Sequence, residues 1–373
     1  MEETESLAIT GGPCAGKSSA GPYLYERLTN IGLSPLLVPE AATLLINAGF
    51  IPKLNFNLFS EKVFDTTFFL EQQMKEVAEN MKKQHGLKPV LVCDRGLMDV
   101  SAYMTEKDFE NLVLSRKMTV SDICDRRYKG VFHLRSAAIG AEEFYTIANN
   151  SARTESTEEA RIRDAATLDA WIGHPHLRII DNRADFSQKL ERLFADICRV
   201  LGYPEPLEIE RKFLVDYVDW PALPKHTQRV EIEQFYLVND SLKEEVRFRR
   251  RTHRGAKTYY RTVKRVIRPG VRLEKEEFTD QEEYERNLRL AGPANGIIQK
   301  TRYCFAWNEQ YFELDDFKIY PYNPFEKKKV ILEIELTKEN DTCTLPPFIS
   351  INKAVTEDPR YNNRNIALYG FPE

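Results

Sequence analysis

The sequence predicts two folds in series: an α/β P-loop domain with a parallel sheet over residues 1–203, then an antiparallel β-barrel or strongly curved sheet over residues 207–373. Three observations lead there. Up to about Gly202, short apolar runs alternate with longer helical stretches, the pattern of an α/β layer fold. The stretch Gly202-Tyr203-Pro204-Glu205-Pro206-Leu207 then places two prolines in three positions, a breaker suited to a domain boundary. Beyond it, closely spaced runs alternate with period 2, as strands do.

In the first part the expected strands are 7–10, 35–40, 89–94, 130–134 and 177–181. Helices at 17–29 and 64–83 are long enough to cross between parallel strands. A last helix over 186–201 stops at Gly202, a C-cap residue. In the second part the expected strands are 208–215, 229–238, 244–251, 257–265, 270–278, 303–308, 310–317 and 329–336. With turns between them, these suit a barrel with an inside and an outside.

At 373 residues the chain exceeds one ordinary domain of about 100 to 200 residues. Apolar content of 42% and charged content of 29% are those of a globular protein. A net charge of -4 gives no general nucleic-acid signal. Six scattered cysteines with no CxxC pair point to a reduced, cytoplasmic setting. The opening residues lack the basic and apolar segments of a leader, and no apolar run approaches the roughly 18 residues of a spanning helix, so membrane contact is expected to be peripheral.

Gly11-Gly12-Pro13-Cys14-Ala15-Gly16-Lys17-Ser18 fits GxxxxGK[ST] between an expected strand and an expected helix. Backbone amides of such a loop, with Ser19 following, cradle phosphates; Lys17 reaches the β/γ oxygens and Ser18 ligates Mg²⁺. The strand at 89–94 ends in Asp94 and Arg95, an acid suited to the metal and a cation suited to phosphate. The alternative is a surface pair beginning a loop. Glu40 ends another strand and would face the same crevice, where it could take a proton from an attacking hydroxyl. Arg153, Arg161 and Arg163 lie one to three turns apart in a polar segment at 149–164, either a lid over the phosphates or a solvated helix.

In the second part, Glu208, Glu210 and Lys212 are spaced by two and share one strand face. Arg247 with Arg249, Lys264, Arg272 with Glu274 and Glu276, Lys300 with Arg302, Glu313 with Asp315, and Glu333 with Glu335 repeat the spacing. On one strand this is an ordinary wet face. On seven, it suits an interior that binds something charged: carboxylates for a divalent cation and basic groups for a phosphate chain. His174 and His176 could suggest a metal, though two histidines before a strand are more often structural. Arg250 and Arg251 are left for the outside.

The motifs TGGPCAGKSS, PEAATLL and CDRGLMDVSAYM, with the Arg-rich segment, resemble the P-loop kinase-type domains of the nicotinamide riboside kinase and TRPL-translocation-defect type, over nearly all of residues 5–200. The second part resembles a CYTH domain, the triphosphate tunnel metalloenzyme family, through ExExK at Glu208, Glu210 and Lys212, the charged positions above and the tail 355–363. The resemblance implies ATP or GTP as a partner, Mg²⁺ or Mn²⁺ as cofactor, and a triphosphate or other phosphorylated small molecule in the tunnel. It places Ser18, Asp94, Glu208, Glu210, Glu274, Glu276, Asp315, Glu333 and Glu335 at metals, and Lys212, Arg247, Arg249, Lys264, Arg272, Lys300 and Arg302 on the phosphates. It also carries a second reading: a non-catalytic regulator that binds GTP and phosphoinositide headgroups in membrane or ion-channel traffic. The basic insert at 318–329 departs from the family pattern at the tunnel's entry.

Overall fold

The computed structural model describes residues 4–145, 156–203, 210–239, 244–268, 271–291, 296–318, 329–336 and 342–372, with the backbone alone at 238, 239, 244, 264–268 and 271–275. It divides into two compact units, Met1–Leu201 and Gly202–Glu373.

The first unit is a parallel five-stranded sheet with helical crossovers. Its elements are β1 (Glu5–Thr10), α1 (Lys17–Asn30), β2 (Ser34–Val38), α2 (Ala41–Asn47), α3 (Phe56–His85), β3 (Pro89–Asp94), α4 (Glu106–Ser115), β4 (Gly130–Leu134), α5 (Thr157–Trp171), β5 (Leu177–Ile180) and α6 (Phe186–Leu201). Strand order is β2-β3-β1-β4-β5. β1 pairs with β3 on one side and β4 on the other, so the strand order reverses at β1 and a crevice opens at its carboxyl end. The three central strands are almost wholly buried, and their continuous apolar runs are those of a sheet covered on both faces.

Local chemistry sets the helix ends. α3 begins at Phe56 rather than 64 because the Asn55 side chain accepts the Leu58 amide at 3.0 Å, and it ends at Gly86 with φ 63°. α5 starts after Ser156, which forms a capping box with Glu159; the earlier part of the helix expected at 149–164, with Arg153, lies outside the described residues.

The second unit comprises β6 (Glu210–Val218), β7 (Gln228–Asn239), β8 (Glu244–His253), β9 (Ala256–Arg268), β10 (Val271–Thr279), α7 (Gln281–Ala291), β11 (Ile297–Trp307), β12 (Gln310–Lys318), β13 (Lys329–Glu335), β14 (Ile349–Ala354) and α8 (Asn363–Tyr369). All pairings are antiparallel, in the order β10-β9-β8-β7-β11-β12-β13-β6-β14. Among the described residues the pairings leave β10 and β14 at the ends of the sheet; of the expected barrel or strongly curved sheet, the antiparallel sheet itself is present. β11 begins six positions before the expected 303, so it includes Lys300 and Arg302.

Register carries one face across the sheet. Glu210 opposes Glu335, Lys212 opposes Glu333, Glu333 opposes Glu313, and Asp315 opposes Arg302. From there Ile298 opposes Gln234, Gln234 opposes Arg249, Arg247 opposes Thr262, and Thr262 opposes Glu276. Opposed residues share a side of a sheet, so charged positions of seven strands face one way, with β7 contributing Ile232, Gln234 and Tyr236 between them. The other side packs a core of Val215, Phe305, Phe312, Leu314, Leu332 and Ile334 at one end. At the other end it packs Phe235, Phe248 and Tyr259 against Tyr284 of α7. Ile366 of α8 covers Ile298, Phe317 and Ile331 on the charged side.

Candidate functional site

In the first unit, the loop Gly11–Gly16 leaves β1 and enters α1 through Gly16, whose φ is 91°. Gly11 has φ 141°, and a Cβ there would overlap the Leu134 carbonyl; no other residue fits. Cys14 and Arg95 also adopt left-handed backbone, φ 55° and 74°, so uncommon conformations concentrate at this crevice. A cavity of about 1070 Å³ opens there, lined by Pro13–Ser19, Glu40, Asp94, Arg95 and Asp99, and farther out by Phe50, Phe56, Phe59, Val63 and Tyr103.

Lys17 Nζ donates to the carbonyls of Gly11 at 3.1 Å and Gly12 at 3.2 Å. Burial, followed by the charge of Arg95, lowers its pKa. Arg95 Nε donates to Glu40 Oε1 at 2.5 Å, and Thr43 donates to Glu40 Oε2 at 2.6 Å. Burial pushes Glu40 up, but Arg95, Lys17 and these hydrogen bonds outweigh it and hold the carboxyl at about 2. Asp94 is the opposite case: burial raises it, and its Oδ1 is buried with no hydrogen-bond partner. An orphaned carboxylate oxygen beside Ser18 and the phosphate loop fits a divalent cation.

Two acids that sequence reasoning did not single out complete the site. Asp99 accepts from Thr10 at 2.5 Å, from Trp171 at 2.9 Å and from the Gly96 amide at 3.0 Å. Asp164 accepts the amides of Gly12 at 3.0 Å and Ser136 at 2.8 Å. Arg161 turns elsewhere: it donates to the Ala138 carbonyl at 2.7 Å and to Glu142 at 3.2 Å and is absent from the cavity lining. Its neighbour Arg163 lies 4.9 Å over the ring of Tyr103, which does line the cavity. His174 accepts the His176 amide through Nδ1 at 3.0 Å and faces the Tyr128 carbonyl through Nε2 at 3.1 Å, a structural arrangement.

In the second unit the charged face carries two clusters. In the first, Lys212 Nζ lies 2.9 Å from Glu210 and 2.8 Å from Glu333. Arg302 donates to both Asp315 oxygens at 2.7 Å, to Glu333 at 2.9 Å and to Glu313. Lys300 donates to Asp315 at 2.5 Å and to Asn363 of α8 at 3.2 Å. Lys300, Asp315 and Glu333 are buried, so this is not a solvated sheet face. Burial would raise Glu333, but Lys212, Lys300 and Arg302 win and keep it ionised. Burial opposes the Lys212 charge, and Glu210 and Glu333 more than restore it. Lys300 is lowered, by burial first. Asp315, expected at a metal, is thus taken up by Lys300 and Arg302.

The second cluster has fewer carboxylates among the described side chains. Arg247 and Arg249 donate to Glu276 at 3.1 and 2.9 Å, and Thr262 donates to the same carboxylate at 2.8 Å. Arg249 stands 5.0 Å over the ring of Tyr260, and its Nε is buried without a partner. Burial lowers its pKa. Arg251, expected outside, is buried on this same face. Burial pushes Tyr236 up, against the nearby charges of Arg247, Lys212 and Arg249. Glu208 and the side chains of Lys264, Arg272 and Glu274 are outside what the structure describes, the backbones of those three follow the register, and Glu335 is exposed.

No helix among the described residues is long and apolar enough to cross a membrane. No curated protein matches the chain. Among solved structures, the inorganic triphosphatase NE1496 is 28% identical with a TM-score of 0.31, covering 43% of this chain and 94% of its own. The PH1819 protein from Pyrococcus horikoshii OT3 is 19% identical with a TM-score of 0.27, covering 36% and 80%. Residues 6–189 match the family model described as an AAA domain, which makes the first unit similar to a P-loop nucleotide-binding domain by sequence as well as by sheet order.

Proposed function

We propose that the first unit binds ATP or GTP with Mg²⁺ or Mn²⁺ and transfers the terminal phosphoryl group to an acceptor in the outer part of the cavity. The observation that carries this is the convergence of Lys17, the Glu40–Arg95 pair and the orphaned Asp94 oxygen on one cavity. The acceptor oxygen bonds to the γ-phosphorus as the bond to the β,γ-bridging oxygen breaks, and the acceptor's proton passes to a carboxylate. Glu40 serves as that base only once Arg95 leaves it for the phosphate, since a carboxyl held at about 2 is a weak proton acceptor. Ser18 and Asp94 would hold the metal, which neutralises charge on the phosphates.

The second unit, in this reading, binds a triphosphate on its charged face. Arg249, whose Nε is buried without a hydrogen-bond partner, offers a donor for phosphate, with Arg247 beside it on the Glu276 carboxylate. Glu210, Glu333 and Glu335, with Glu208, offer oxygens to a divalent ion. The test is incubation of the full chain with Mg²⁺ or Mn²⁺ and a panel of nucleotides, tripolyphosphate and phosphoinositide headgroups, scoring both turnover and binding. Turnover of nucleotide or tripolyphosphate is expected. Binding of GTP and headgroups with no turnover would replace this reading with that of a non-catalytic regulator.

A further inference from the structure

The outer edge of the phosphate loop is gripped at four consecutive residues by groups the reading above leaves unused. Asp164 of α5 accepts the Gly12 amide at 3.0 Å. Ser136 donates its hydroxyl to the Pro13 carbonyl. The Ala137 amide donates to the Cys14 carbonyl at 3.1 Å. Lys189 of α6 donates to the Ala15 carbonyl at 3.1 Å. Two of the four are charged side chains, and they are 0% and 3% exposed respectively for Asp164 and Lys189.

Each buried charge is fully engaged. Asp164 Oδ2 takes Arg135 at 2.5 Å and faces His133 Nε2 at 3.3 Å, while Oδ1 takes the Ser136 amide. Lys189 spends its other two donors on the Arg135 carbonyl and Asn182 Oδ1, both at 2.7 Å. A buried charge is by itself weak evidence for stability, so stability alone does not account for a buried carboxylate and a buried ammonium here. Their common target does: both reach past their own elements to the backbone of Gly12–Ala15. The fit is close, because a Cβ on Gly12 would run into Asp164.

We propose that Asp164 and Lys189 are positioning residues of the nucleotide site, fixing the outer edge of Gly12–Ala15 from α5 and α6 so that the loop is already shaped when a phosphate chain arrives. A loop with glycine at 11, 12 and 16 has much conformational freedom, and whatever the protein does not fix the ligand must order on binding. Ordering from the outside leaves the cavity side of the loop clear for phosphate. This rests on the nucleotide reading of the cavity.

Calorimetric titration of the full chain with ADP and with GDP, counting only the share of binding lost in Lys17→Ala, tests it. Asp164→Ala and Lys189→Met are expected to weaken that share about ten-fold or more, for both nucleotides alike, at a temperature well below each variant's melting point. Asp164→Asn keeps an acceptor for Gly12 but faces Arg135 with a donor; it is expected to fall between, and it carries the test if the harsher variants do not fold. Variants that melt lower yet bind ADP and GDP as the wild type does would overturn the proposal and leave the two residues purely structural. Absence of any Lys17-dependent binding in the wild type would overturn the nucleotide reading, and the proposal with it.

Discussion

Arg95 and Glu40 hold each other across the cavity, and the two carboxylates beside Lys17 therefore differ in kind. Glu40 is paired and held at about 2, whereas Asp94 is raised by burial and its Oδ1 has no hydrogen-bond partner. Glu40→Gln should keep nucleotide binding and lose phosphoryl transfer, read as an unchanged dissociation constant with a fallen kcat; full turnover in that variant would remove Glu40 from the chemistry. Asp94→Asn should instead weaken binding only when Mg²⁺ is present. The pair also sets a pH dependence. Glu40 has a folded pKa of about 2, below its ordinary 4.5, so its contribution is present above 4.5 and is lost as pH falls through 2, where the unfolded chain binds the proton first. Acid unfolding of the wild type should be steeper over that window than that of Glu40→Gln, by up to about 1.4 kcal/mol per pH unit. At this scale the glycine-lysine loop was legible because its chemistry is contiguous. Asp99 and Asp164 were not, since they reach Thr10 and Gly12 across 89 and 152 positions, and a lone aspartate in a helix or loop carries no local signal of its target.

At the scale of elements, the two charged clusters share one sheet face and differ in the carboxylates that their described arginines meet. Arg302 is surrounded by Asp315, Glu313 and Glu333, so Arg302→Ala should leave buried carboxylates uncompensated and cost the second unit about 3 to 5 kcal/mol in urea unfolding. Arg249 shares one carboxylate with Arg247, so Arg249→Ala should cost less stability and show chiefly as weaker tripolyphosphate binding, by about 1.5 to 3 kcal/mol. Equal stability losses in the two variants would contradict this division. In the first unit, Gly11→Ala should distort the β1–α1 turn at a cost of about 1 to 3 kcal/mol, with nucleotide binding lost alongside. Period-2 charge alternation made the strands legible, and the expected 310–317 and 329–336 fall within one residue of β12 and β13 at each end. It could not count how many carboxylates each cation would meet, because pairing depends on register between strands. Nor did it reveal β14, whose run ISINKA alternates weakly, or α8, a helix of seven residues.

For the molecule as a whole, the antiparallel sheet and the parallel sheet belong to separate compact units, and the account gives each its own phosphate site. An antiparallel barrel or strongly curved sheet was expected because alternating strands in number suit a tunnel; pairing between first and last strands is a long-range property that no local pattern encodes. Two independent sites imply that damage to one leaves the other intact. The measurement that tests this most directly is calorimetric titration of the full chain with tripolyphosphate, with Mg²⁺ and then with EDTA, on the wild type, Lys17→Ala and Arg249→Ala. The account predicts two classes of site in the wild type, one lost in each variant with the other unchanged, and both weakened by EDTA. A single class of site, or binding indifferent to both substitutions and to EDTA, would contradict it.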